Sequence, residues 1–132
     1  MGTLIARGAA EGDRVQYQSD YVLRIIEQMG GLIRRALERM RAGGDEESYD
    51  LAQQALGLAL DIDPSVASRL SPESLRSILE LHMPDERVLE LMAKALEIEG
   101  QALGGDGEFL AAQLRFDQAE MVRRLMDPGR AN

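Results

Sequence analysis

Apolar positions recur every three or four residues along most of the chain and nowhere alternate, so the pattern predicts helices and no strands. The first helix is expected to open at Asp20, a good N-cap, with Val22, Ile25, Ile26, Met29, Leu32, Ile33, Ala36, Leu37 and Met40 on its apolar face. It ends near Ala42, where Gly43-Gly44 breaks the pattern. Gly30-Gly31 inside it costs about 1 kcal/mol per glycine relative to alanine, which predicts a bend or the close approach of another helix.

A second helix is predicted over Asp45 to Ile62, with carboxylates in its first turn and Leu51, Ala52, Ala55, Leu56, Ala59 and Leu60 on its buried stripe. Pro64 stops it, and a short helical turn over Ser65 to Leu70 follows. Ser71-Pro72-Glu73 is a strong start signal for a helix to about His82. Pro84-Asp85-Glu86 opens the next, running to about Leu103 and wide enough in its apolar face to be contacted on two sides. The last begins near Glu108 and ends before Asp127-Pro128-Gly129.

The expected fold is therefore all-α, about five helices in antiparallel hairpins. Residues 1–18, with isolated glycines and no sustained period, read as an N-terminal tail or arm. Residues 19–132 form a single helical domain, with hairpins at about 20–62 and 85–126 and an inserted helix at about 72–82.

Charge changes the picture of what the chain can bind. The net charge is −8, yet residues 1–44 hold seven arginines against five carboxylates, net +2, and the remainder eight basic against eighteen acidic groups, net −10. An acidic body repels a phosphate backbone, so nucleic acid is not an expected partner. Arg34, Arg35, Arg39 and Arg41 read as a solvated face favouring the negative end of their helix, with Arg34 and Glu38 as an i, i+4 pair. With no cysteine, no signal peptide and no long apolar run, the expectation is a cytoplasmic protein without membrane contact.

Catalytic and metal-binding patterns are missing from the sequence. His82 is the single histidine, at a helix end before Met83-Pro84, and reads as a helix-terminal cation. Asp61-Ile62-Asp63 starts like a calcium loop but runs into Pro64. Gly104-Gly105-Asp106-Gly107 lacks the strand and the Lys-Ser/Thr of a phosphate cradle and reads as a turn. Glu90 and Glu97, one heptad apart, read as a solvated acidic face; no cofactor, no metal site and no enzymatic activity are expected. The scattered methionines read as core gap-fillers.

Gly100, Gly107, Phe109, Ala112, Phe116 and Ala119 fall at the spacing of the small and aromatic packing residues of a tetratricopeptide repeat, which the segment from about Ala93 to Met126 resembles. The resemblance implies a close helix crossing with Ala112 opposite Gly100, a turn at Gly107, and Phe109, Phe116 and Ala119 in the packing; Glu99 stands where that family has leucine. Ala52, Leu56, Ala59 and Pro64 repeat the second half of the motif, 60 residues upstream. Residues 19 to about 126 also resemble an uncharacterised bacterial domain family, mainly Gram-positive, through Asp20-Tyr21-Val22, Arg24, Ile26-Glu27 and the run Leu70 to Leu75. That second likeness implies a fold and no activity.

The repeat likeness implies a protein–protein interaction module, with Lys94, Glu97, Ile98 and Gln101 at the positions that line a peptide groove. The acidic body points to a basic or amphipathic partner segment. The alternative is a homo-oligomeric structural protein, a homodimer through the first helix, because two hairpins are fewer than the roughly three repeats a solenoid usually needs; otherwise the inserted helix completes the core.

Overall fold

A computed structural model describes the backbone of residues 2–67 and 69–126 and the side chains from Ser19 onward within those limits. The chain is all-helical over this range, in the order α1 (Gly2–Arg41), α2 (Asp45–Leu60), α3 (Pro64–Ala67), α4 (Pro72–His82), α5 (Glu86–Gly105) and α6 (Phe109–Met126). The sixth helix beyond the expected five is α3, a single turn that replaces the predicted turn at Ser65 to Leu70.

The largest correction concerns α1. It begins at Gly2, not Asp20, so residues 2–18, read from the sequence as a tail or arm without a sustained period, are helical. Extending an existing helix needs no new nucleus, and single glycines lower propensity without stopping propagation. Gly30-Gly31 does not interrupt α1 either, and among the described residues no second backbone comes within 4 Å of where their Cβ atoms would be. The guanidinium of Arg34, one turn on, does: a Cβ at Gly30 would stand 3.6 Å from its Nη1.

Helix ends follow local chemistry. α2 has no side-chain cap, and Asp45, Glu46 and Glu47 in its first turn face the positive end of the helix dipole. It stops at Leu60 rather than Ile62, because Asp61 turns left-handed (φ 54°) and its N–H closes on the Gly57 carbonyl at 2.9 Å. Ser71 caps α4 by accepting from the Ser74 N–H at 3.1 Å, with Pro72 at the first helical position. Asp85 caps α5 by accepting from the Arg87 N–H at 2.8 Å, and its carboxyl is held below the ordinary aspartate range chiefly by its hydrogen bonds to Arg87. Gly107 makes the α5–α6 turn at φ 82°, a conformation that costs other residues about 1–2 kcal/mol.

α2 packs against both α1 and α5, α6 lies along the far side of α5, and α4 leans on α6. The core is Met29, Ile33 and Ala36 from α1, Ala52, Ala55 and Leu56 from α2, and Met92, Ala93, Ala95 and Leu96 from α5, closed by Ala119 and Val122 of α6. Ala59 is only partly buried at its edge. α5 is thus apolar on two sides because it is packed on two sides. Leu75 and Leu79 of α4 join the same core, each stabilising by about 2–3 kcal/mol, so the inserted helix does contribute to it.

α5 and α6 are antiparallel and closely packed. The atoms nearest Gly100 belong to Phe116: a Cβ at Gly100 would lie 2.9 Å from two carbons of that ring. Ala112, buried as expected, meets Gly104, whose added Cβ would stand 3.9 Å from the Ala112 methyl. Gly100 and Gly104, four residues apart on α5, both leave room for the close approach of α6. Phe109 is a further correction: it is 73% exposed at the start of α6, beside Leu110 at 90%.

Candidate functional site

α1 and α5 lie side by side and leave a surface groove of about 400 Å³ between them. Every third or fourth residue of each helix points toward it, because both helices turn the edge of a buried stripe to the same side. Ile33 and Ile98, both buried, form its floor, and Leu37 and Leu91 its walls. Arg34, Lys94 and Gln101 stand exposed along its rim. Lys94, Glu97, Ile98 and Gln101 are the four residues singled out from the sequence, and the structure brings all four into this groove. The α1 wall was not legible in the sequence, since nothing local says which helix will lie beside α5.

Glu97 is not a free acidic group. Arg123 of α6 reaches it with Nη2 at 2.8 Å and Nε at 3.1 Å, and reaches Glu90 with Nη1 at 3.2 Å. The expected solvated acidic face is therefore a clamp in which one guanidinium holds two carboxylates a heptad apart. These hydrogen bonds, that to Glu97 foremost, raise the Arg123 pKa above its ordinary value. Likewise Arg39 bridges to Glu47 at 3.1 Å, tying α1 to α2, where an Arg34–Glu38 pair was expected.

A second polar feature lies inside the protein. Glu99 is fully buried, with Arg115 of α6 beside it: Arg115 Nε stands 3.6 Å from Glu99 Oε1, an ion-pair distance longer than a hydrogen bond. Arg115 also donates from Nη2 to the Tyr49 hydroxyl of α2 at 3.4 Å, and Gln53 donates to the same oxygen. Burial pushes the Glu99 carboxyl up to about 7, and the Arg115 charge and the Tyr49 hydroxyl offset only part of that. Gln118, also buried, donates to the Leu70 carbonyl and so ties α6 to the loop before α4. Two signals for this cluster were in the sequence: Glu99 occupies a leucine position of the repeat, and Arg115 lies three residues after Ala112 and four before Ala119, on the buried stripe of α6.

The remaining sequence features fall where the fold needs ends and turns. His82 closes α4 and is exposed at the edge of a cleft of about 470 Å³ with Tyr21, Leu58 and Val88. Asp61 is the α2 C-cap, and Asp63 accepts from the Ser65 N–H at 2.9 Å, which starts α3. Among the described residues, no three or more histidine, aspartate or glutamate side chains come together as a metal-ligand group, and no helix is long and apolar enough to cross a membrane. Comparison with models of protein families, with curated proteins and with solved structures finds no match to this chain.

Proposed function

We propose that the protein is a non-enzymatic interaction module that docks an amphipathic segment of a partner protein in the α1–α5 groove. The observation that carries this reading is the convergence of Lys94, Glu97, Ile98 and Gln101 with Ile33 and Leu37 on one apolar-floored groove. Helix grooves of this kind accept apolar side chains at helical or alternate spacing and take specificity from the polar rim. Tetratricopeptide-like packing is part of the same proposal: α1, α2, α5 and α6 form two hairpins with α2 between α1 and α5, which leaves α1 and α5 to line one face together. An unbiased peptide display selection on the folded protein tests the docking. Selected peptides should lose binding to a Leu37→Glu variant and keep it for Leu81→Glu, a change at an 80% exposed position outside the groove. Selections insensitive to Leu37→Glu would overturn the assignment.

The second reading, self-association through α1, is favoured by the exposure of Tyr21 and Leu23 on that helix. Sedimentation of the purified protein separates it from the first, because a homodimer gives twice the mass of the chain at micromolar concentration.

A further inference from the structure

Resting on the docking reading, we infer that the segment seated in the α1–α5 groove is amphipathic and carries a side-chain carboxylate at its polar edge, not a basic group. The net charge of −8 argues for a cationic partner only at long range. Beyond a Debye length of about 8 Å at physiological salt, distant charges are screened, so the charges at the groove itself decide the seated contact.

Those charges are positive. Among the described residues Glu97 is the one acid lining the groove, and both its oxygens are engaged by Arg123 of α6. Arg34 and Lys94 line the groove from different helices, and among the described residues neither makes an ion pair or hydrogen bond within the chain. Gly30 and Gly31 leave the α1 surface bare under the Arg34 guanidinium, whose Nη1 and Nη2 stand 3.6 and 3.9 Å from where their Cβ atoms would be. The guanidinium thus folds back along α1 at the groove edge, where Arg34 stays exposed. A carboxylate arriving with its apolar neighbours on Ile33 and Ile98 meets two cations without competing for an existing partner. An ammonium there meets two like charges, and the carboxylate that could offset them is already held.

End-blocked amphipathic peptides with identical apolar faces, bearing either glutamate or lysine at the polar edge, test this by amide-shift titration of the isotope-labelled protein. The glutamate peptides should bind about tenfold or more tightly than the lysine peptides. Their shifts should centre on Arg34, Lys94 and Ile98. The Arg34→Glu/Lys94→Glu double variant should reverse the preference. The milder Lys94→Gln, at an exposed position, should weaken the glutamate peptides alone should the double variant fail to fold. Lysine peptides binding this groove as tightly as glutamate peptides would overturn the charge assignment and leave the docking reading standing. Shifts absent from the groove with either series would overturn both.

Discussion

Gly100 of α5 lies against the ring of Phe116 of α6, so closely that a Cβ at position 100 would stand 2.9 Å from the ring carbons Cε1 and Cζ. A glycine in a helix interior costs about 1 kcal/mol relative to alanine. Here the ring occupies the space the methyl needs. Phe116 is 36% exposed and the contacting carbons are the tip of its ring, so the ring can swing outward and Gly100→Ala should cost less than about 1 kcal/mol net. In a Phe116→Ala background the same change should stabilise by about 1 kcal/mol, leaving only the propensity gain. Urea unfolding of the four proteins in this cycle reads the coupling, and additive effects would mean the ring does not crowd position 100.

Ala112 and Ala111 provide a test of the same interface without glycine. Ala112 is buried against Gly104, whereas Ala111 is only half-buried one residue, about 100°, around the helix. Ala112→Leu should cost about 1–3 kcal/mol, because the larger side chain must part the helices or strain its rotamer. Ala111→Leu should be nearly neutral, and equal unfolding midpoints for the two variants would contradict the packing.

Glu99 should make stability depend on pH in the direction opposite to an ordinary carboxylate. Its folded-state pKa is raised from 4.5 to about 7, so between those values the folded protein binds a proton that the unfolded chain does not. The stabilisation is complete below about pH 4.5 and is lost as pH rises through 7; a shift of this size corresponds to about 3 kcal/mol. Asp63 and Asp85, both held below 3.8, act in the other sense and only at lower pH. Urea midpoints should therefore fall from pH 5 to pH 8 in the native protein, and Glu99→Gln should flatten that slope.

Arg123 joins two carboxylates of α5 to α6, but it is partly exposed, and solvent screens such pairs. Arg123→Ala should cost about 1 kcal/mol, with the loss shrinking in high salt. Arg123→Lys should recover only part of it, because an ammonium lacks the planar fork that engages both Glu97 oxygens. Equal stability of Arg123→Ala and the native protein at low salt would show that the clamp adds nothing.

The sequence by itself determined the helices and most of their ends, because capping, proline and glycine act on the residues beside them. Ser71-Pro72 starts α4 and Asp85 caps α5 where their side chains reach the next free N–H groups, and Gly107 turns where only glycine takes that φ at little cost. The groove residues on α5 were legible only through the likeness to a tetratricopeptide repeat, whose groove positions Lys94, Glu97, Ile98 and Gln101 match. The length of α1 was not, because in its first eighteen residues scattered glycines hide the apolar period while the helix continues regardless. Tertiary structure alone decided how α5 and α6 meet: Gly100 and Gly104, one turn apart, both leave room for a close crossing, and the ring of Phe116 lies over Gly100. It also decided the charges of the site. Whether Glu97 is free or held by Arg123, and whether Glu99 faces water or Arg115, depends on a helix more than ten residues away, and no local rule reports which side chain that helix will bring.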